Sequence, residues 1–335
     1  FNGLEQLERH DASDHVRIAW FGDSAIVGDG YTAEVRRRLQ ARFGDGGPGF
    51  ILLSPDFGGY LRDGLRLKRH DWEVASVLKG GRTDGRYGYG GVVSTSYGGA
   101  SSTFIALEKR IERVRVYYRE TAKSGGLQVF ADESTRPTSV LGPSRLHRGD
   151  RVWEVPLSQP IQSVKVRASG GGLSMLYGVA LEQSSPGVIL DAIGLVGQRA
   201  RGWSRADTLH LEGQLMDRGV SLLIVNFGGN ERIDKHLSVE RHRAELTQTI
   251  QRLRRGAPSA SCLVMGPIAH GQGRRATLDP RLETIYTAQR VAAAETGCAF
   301  FDTLNAMGGA AALKRFKRER WIGKDMAHLT AKGHR

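Results

Sequence analysis

A serine near the start of the chain and an aspartate and a histidine near its end are the residues with the most chemistry in them. Ser24 closes the stretch His15-Val16-Arg17-Ile18-Ala19-Trp20-Phe21-Gly22-Asp23-Ser24. The apolar run in that stretch reads as a buried strand, and a helical pattern follows from Tyr31 to Phe43. Ser24 therefore stands at the C-terminal end of a strand, where open α/β sheets place their ligands. A hydroxyl there projects into a crevice, and amides at a helix start can hold a negative oxygen. That is a good position for a nucleophile; the alternative is a serine that only caps the helix. The distal stretch is Trp321-Ile322-Gly323-Lys324-Asp325-Met326-Ala327-His328-Leu329-Thr330. Asp325 and His328 are three positions apart, so a helical turn or a tight loop puts them on one side. A carboxylate beside an imidazole fixes its tautomer and stabilises the imidazolium. A serine then needs only to meet that imidazole in space.

Two middle segments offer what such a triad lacks. Ser221 to Phe227 reads as a buried strand running into Gly228-Gly229-Asn230-Glu231. Asn230 thus emerges beside Ser24, and its amide can donate to a developing oxyanion. Val188 to Gly197 reads as a strand ending in glycine, where a substrate can come close to the backbone N–H. A turn asparagine and a turn glycine are the alternatives.

The order Gly-Asp-Ser, Gly, Gly-x-Asn-Glu and Asp-x-x-His resembles the SGNH (GDSL-type) hydrolases. The resemblance covers both ends and the middle of the chain and leaves out a long insertion. It implies a three-layer α/β/α parallel sheet and a serine esterase that works through an acyl-enzyme without a cofactor. By it Ser24 is the nucleophile, His328 the general base and Asp325 its orienting acid. The oxyanion hole would use the amides of Ser24 and Gly197 and the Asn230 side chain. Gly197 is preferred to Gly194 because the family's glycine directly precedes the polar start of the next helix.

More narrowly, the chain resembles the bacterial peptidoglycan O-acetylesterases. The residues that carry this are Ala41-Arg42-Phe43-Gly44-Asp45-Gly46-Gly47-Pro48-Gly49-Phe50, Tyr177-Gly178-Val179-Ala180-Leu181-Glu182, Ala306-Met307-Gly308-Gly309 and Asp325 to Thr330. Ala25 departs from the pattern, since the wider family often has Leu there and the esterase subgroup often His. This resemblance implies removal of O-linked acetyl groups from a glycan, with O-acetylated peptidoglycan as the first substrate. It also implies a periplasmic or secreted location and an inserted carbohydrate-binding-module-like β-domain. An acyltransferase, or an esterase on another acetylated polysaccharide or small ester, would use the same residues. A non-catalytic glycan-binding protein is a further alternative.

The elements that must position these residues alternate. Helices are expected at Arg199 to Asp217, Val239 to Arg255 and Pro280 to Thr296, with strands at Leu222 to Phe227, Cys262 to Gly266 and Ala299 to Asp302. Alternation of this kind implies a parallel sheet covered on both faces. From about residue 58 to 186 the texture changes to short alternating runs separated by glycine-rich turns such as Ser169-Gly170-Gly171-Gly172. Such runs suggest a sandwich or jelly roll. The expected organisation is a discontinuous catalytic domain, residues 1–57 and 187–335, interrupted by a β-rich domain at 58–186. Trp72, Tyr87, Tyr89 and Tyr97, in the glycine-rich opening of that insertion, could stack on sugar rings or pack an interface. His270 follows a strand end, where it could line the cleft.

The 335 residues, 40% hydrophobic and 25% charged, describe an ordinary folded chain. No apolar run approaches a membrane span, and residue 1 already lies in a polar stretch, so no signal peptide is visible. The net charge of +13 favours acidic polymers as partners. Arg36-Arg37-Arg38 and Lys314 to Arg318 read as solvated helix faces. No nucleic-acid-reading module with base-stacking aromatics is present. His236 and His242 lack the spacing of a zinc helix, and no metal is expected. Cys262 and Cys298 lie in apolar strand-like runs, and buried free thiols are the expectation.

Overall fold

The computed structural model describes residues 2–143, 148–273 and 276–334. Five parallel strands form its central sheet: β1 (Val16–Gly22), β2 (Val188–Gly194), β3 (Leu222–Asn226), β4 (Ser261–Met265) and β5 (Ala299–Phe301). Their spatial order is β2-β1-β3-β4-β5. All residues of β1 and β2 are buried, as expected for strands covered by helices on both faces. The helices Gly30–Phe43, Thr208–Arg218, Val239–Gly256 and Arg281–Glu295 supply that cover. The expected α/β sheet is therefore present. The helix expected from Arg199 to Asp217 is broken, with a 3-10 turn at Ala200–Arg205 and an α-helix only from Thr208. Asp207 makes the new start by accepting from the His210 N–H, which is the action of an N-cap.

The strands between residues 49 and 182 form two antiparallel sheets. In one, Arg113–Glu120 and Val92–Ser96 flank the fully buried Ser174–Glu182, which Gly49–Ile51 also pairs. In the other, Ser163–Gly170 lies between Ser101–Ala106 and Gly126–Ala131. Alternate residues of Ser101–Ala106 are buried, so one face of that sheet turns inward. The inward side chains of both sheets, including Val116, Val129, Val166 and Leu176, share one buried cluster with Phe21 of β1 and Trp203. Phe21 meets Trp203 and Tyr89 edge to face, and Phe50 continues the stack from Tyr89.

A buried polar knot pins the two parts together. Arg218, with no exposure, pairs with Asp191 of β2 and with Glu182 at the end of Ser174–Glu182. The Tyr89 hydroxyl and the Phe50 N–H also donate to Asp191. Buried charges need this degree of pairing, because removing one partner typically costs about 3–5 kcal/mol.

Three expectations are corrected here. Arg36 is not on a solvated face: it is buried, and its guanidinium grips both oxygens of Asp29 at 3.0 and 2.8 Å. Tyr87 and Tyr89 are fully buried and cannot stack on a sugar. The cysteines are not free, since Cys262 and Cys298 form a disulfide. Leu263 pairs with Ala299 across β4 and β5, so the preceding residues, the two cysteines, face each other in register, with Cα atoms 4.6 Å apart. They lie 36 positions apart in the sequence. In the chain-entropy account such a loop is worth roughly 3–4 kcal/mol. The Cys262→Ser/Cys298→Ser double variant should lose about that much in urea unfolding, and reductant should then have no further effect on it.

His242, on the helix Val239–Gly256, is 1% exposed, and neither ring nitrogen has a partner. Burial pushes its pKa down to about 4. The native state thus stays neutral while the unfolded chain takes up a proton below about 6.5. Stability from this group is complete above that pH and is lost as pH falls toward 4. His242→Phe should therefore gain on the wild type by about 2 kcal/mol between pH 7.5 and pH 5. Urea denaturation at the two pH values measures that difference.

Candidate active site

Ser24 opens a short helix, Ser24–Val27, directly after β1. Its cap is Asp23, whose Oδ1 accepts from the Ala25 N–H at 2.9 Å. The Ser24 hydroxyl is thereby left out of capping. Two glycines let this turn sit against the strand ends. A Cβ at Gly194 would lie 2.7 Å from Ile26 Cγ1, and one at Gly22 would meet the Asn226 carbonyl at 3.0 Å. Gly194 is thus spent on packing.

The distal segment brings the imidazole to this turn. Residues 323–328 form a tight loop closed by the Gly323 N–H on the His328 carbonyl at 2.7 Å, with Met326 at φ +57°. Asp325 Oδ1 accepts from the N–H groups of Ala327 and His328 at 3.0 and 3.2 Å. Its Oδ2 lies 2.6 Å from His328 Nδ1, and His328 Nε2 lies 2.8 Å from Ser24 Oγ. Ser24, His328 and Asp325 therefore form one hydrogen-bonded chain across 304 residues of sequence. Burial opposes the charge on Asp325, but the hydrogen bonds from the His328 ring and from the Ala327 and His328 N–H groups, with the charge of His328, together outweigh it and hold the carboxyl below its ordinary range. An arrangement of this kind can deprotonate a hydroxyl as it attacks an acyl carbon.

A cavity of about 50 Å³ opens at this chain, lined among others by Ser24, Asn230, Arg232, Ile268, His270 and His328. Asn230 thus reaches the same cavity as Ser24. Its Nδ2 donates to the Gln198 carbonyl at 3.0 Å, which leaves its second N–H for another acceptor. Gly197 is not on this cavity. It sits three residues beyond the end of β2 at φ +80° and lines a neighbouring hollow together with Gln198. Asn230 lines the first space and Gln198 the second, and their hydrogen bond links the two linings.

Of the substrate-binding candidates, only His270 faces the cavity. Burial pushes its pKa down to about 4, and its Nδ1 lies 2.8 Å from the Ile268 carbonyl. The neutral ring therefore donates from Nδ1 and keeps Nε2 as an acceptor. Trp72 is partly buried against the core, and its Nε1 donates to Ser102 Oγ. Its placement is structural, contrary to the sugar-stacking expectation. Tyr97 is 71% exposed on a turn after Val92–Ser96 and is not on the Ser24 cavity.

Two buried carboxylates had no role assigned from sequence. Glu231 Oε1 accepts from the Ala200 N–H at 2.8 Å and Oε2 from the Gly228 N–H at 2.9 Å. It ties the Gly228–Asn230 turn to the segment that follows Gln198. Burial pushes Glu231 up to about 7 and Asp23 up to about 6. Their place inside the Gly-Asp-Ser and Gly-x-Asn-Glu patterns was the available signal: a carboxylate beside a glycine-rich turn has backbone N–H groups to accept from.

The fold and the site are similar to those of GDSL-type hydrolases. The model of the GDSL-like Lipase/Acylhydrolase family matches residues 173–335. The match holds Asn230, Asp325 and His328, while Ser24 lies before it in the sequence. A solved structure described as a peptidoglycan O-acetylesterase is similar over 99% of this chain and 91% of its own, with TM-score 0.81 and 23% identity. A lipase/acylhydrolase from Enterococcus faecalis aligns over 45% of this chain and 71% of its own, with 16% identity and TM-score 0.34. An acetylxylan esterase from Geobacillus stearothermophilus aligns over 44% and 68%, with 19% identity and TM-score 0.33. No curated protein matches the chain.

Proposed function

We propose that the protein is a serine esterase that removes O-linked acetyl groups from a glycan, O-acetylated peptidoglycan first. The hydrogen-bonded chain from Ser24 through His328 to Asp325 carries this reading. His328 Nε2 takes the hydroxyl proton as Ser24 Oγ bonds to the ester carbonyl carbon. The resulting oxyanion is held by the Ser24 N–H and by the free N–H of Asn230. Collapse of this intermediate breaks the bond to the sugar oxygen, which leaves with the proton from His328. Water, deprotonated by His328, then releases acetate from Ser24. The cavity of about 50 Å³ supports a short acyl group, since sites for drug-sized ligands are about 300 Å³ or more. The fold shared with a peptidoglycan O-acetylesterase over nearly the whole chain supports the glycan. The Cys262–Cys298 disulfide supports a periplasmic or secreted location, where such bonds persist. Residues 58–186 serve in this reading as a carbohydrate-binding insertion.

Incubation with a panel of O-acetylated polysaccharides tests the proposal, with released acetate measured against a Ser24→Ala control. Release from peptidoglycan above xylan and other glycans is expected. Equal release from all would remove the peptidoglycan preference, and an acetylated acceptor in place of free acetate would mean transfer.

Glu231→Gln should act on the same chemistry from behind. Its amide would point N–H groups at either the Ala200 or the Gly228 donor, leaving a buried donor unpaired at about 1–3 kcal/mol. The Asn230 turn would shift, and kcat on 4-nitrophenyl acetate should fall by roughly tenfold or more. Unchanged kcat with reduced stability would confine Glu231 to folding.

A further inference from the structure

A second imidazole faces the Ser24 cavity and takes no part in the mechanism above. His270 is 7% exposed and lines that cavity together with Ser24, Asn230 and His328. Its ring is fixed at one nitrogen only, where Nδ1 donates to the Ile268 carbonyl. Nε2 has no hydrogen-bond partner among the described residues, yet it is not sealed from solvent as both ring nitrogens of His242 are. The neutral ring therefore presents a lone pair to the cavity. Among the described residues no carboxylate bonds to this ring, and burial keeps it neutral. It can accept a hydrogen bond there without taking the proton.

The fold ties this ring to the loop of the general base. The Gly271 N–H, one residue on, donates to the Met326 carbonyl at 2.8 Å, and Met326 lies between Asp325 and His328. Ala269 and Met326 also pack in one buried cluster. On its other side, a Cβ at Gly229 would lie 3.3 Å from His270 Nε2 and 2.9 Å from Asp23 Oδ2. The imidazole is thus set against the turn that carries Asn230 and near the residue before Ser24. The cavity of about 50 Å³ is too small for a sugar ring and large enough for a water beside a short acyl group. The donor that reaches Nε2 inside it is therefore a small one.

We propose that His270 is a further catalytic residue, the one that holds the hydrolytic water. The two protons of that water match the two imidazole lone pairs on this cavity: one hydrogen-bonds to His328 Nε2 and the other to His270 Nε2. The water oxygen bonds to the acetyl carbon on Ser24 as His328 Nε2 takes the first proton, and the remaining O–H stays bonded to His270. Collapse breaks the bond from the acetyl carbon to Ser24 Oγ, which takes the proton back from His328, and acetic acid leaves. Acylation of Ser24 has no water to hold and proceeds without His270. A water fixed in this way favours hydrolysis over transfer to an alcohol. The assignment rests on the esterase reading and supplies the residue that orients the water in its second half.

The experiment follows 4-nitrophenyl acetate turnover together with the acetyl group on Ser24, read by mass spectrometry of quenched samples at saturating ester. His270→Asn keeps a donor for the Ile268 carbonyl and removes the acceptor, whereas His270→Gln places an amide oxygen near the Nε2 position. The deacylation rate constant is kcat divided by the acetylated fraction of Ser24. In His270→Asn it should fall about tenfold, the worth of one hydrogen bond. Acetyl-Ser24 should accumulate, while kcat/KM, which reports acylation, should stay within about twofold of the wild type. His270→Gln should recover most of the deacylation rate. His270→Phe, which fills the space of the ring, repeats the measurement if His270→Asn does not fold. An unchanged deacylation constant, or a kcat/KM that falls as far as kcat, would overturn the assignment. A loss confined to kcat/KM on O-acetylated peptidoglycan would overturn it too, and would give Nε2 to a sugar hydroxyl. Undiminished 4-nitrophenol release by Ser24→Ala would instead overturn the esterase reading itself, whatever His270 does.

Discussion

Ser24→Ala is expected to lower kcat on 4-nitrophenyl acetate by on the order of 10⁴- to 10⁶-fold, the range set by losing the nucleophile of a serine triad. The physical reason is that His328 Nε2 faces Ser24 Oγ at 2.8 Å and, among the described residues, bonds to no other hydroxyl. The fold should survive. The start of the Ser24–Val27 helix is capped by Asp23 and not by Ser24, and alanine is a better helix residue than serine. The hydroxyl is only partly buried, so its loss opens no core cavity. Urea unfolding should therefore fall within about 0.5 kcal/mol of the wild type, as for surface substitutions. What remains of the rate comes from Asn230 and the backbone donors, which still favour attack by water. Full activity with an intact fold would remove Ser24 from the reaction, and loss of activity together with the fold would leave its part in the chemistry to Asp325.

The parts of this molecule that were legible in the sequence are those for which local pattern and global fold agree. β1, β2 and β3 are apolar except at Arg17, Asp191 and Asn226 because both faces are buried, and a nearly continuous apolar run says so. Ser24, Asn230, Asp325 and His328 were found because each sits at a strand end or in a short loop, where residue type reflects chemistry more than packing. The convergence of Ser24 and His328 was not derivable from spacing, because it depends on a sheet order in which β1 lies second.

What the sequence hid was partnership across distance. Arg36 stands in a run of three arginines, and nothing in that run says that Asp29 and a buried site await the first of them. Cys262 and Cys298 look like two apolar strand residues until the register of β4 and β5 is known. Tyr87 and Tyr89 lie in glycine-rich sequence that reads as an exposed loop. The loop is instead folded inward, with Tyr89 bonded to Asp191 and the Gly88 N–H bonded to His210. Gly197 was chosen by its place before a helix, yet the chain turns before that helix forms, and the glycine faces the neighbouring hollow.

Asp325→Asn is the second substitution with a large expected effect, and it separates the tautomer of His328 from its position. In the wild type, Asp325 Oδ1 receives two backbone N–H groups while Oδ2 receives His328 Nδ1–H. An asparagine must place its carbonyl oxygen where the two N–H donors point, since its amide nitrogen cannot accept there. The amide NH₂ then faces Nδ1 and donates to it. His328 must carry its proton on Nε2, and that nitrogen no longer has a lone pair for the Ser24 hydroxyl. The loop, still held by both backbone bonds, should keep its shape, so the loss is one of proton acceptance alone. A fall of roughly 10³- to 10⁴-fold in kcat at neutral pH is expected, the range for the wrong imidazole tautomer in a serine triad. Asp325→Ala would in addition release the Ala327 and His328 N–H groups, and should lower unfolding stability where Asp325→Asn does not. Measuring kcat/KM on 4-nitrophenyl acetate for both variants beside their urea midpoints tests the argument. If Asp325→Asn keeps wild-type kcat, the carboxylate does not orient the base, and the bond at 2.6 Å is an anchor for the loop only.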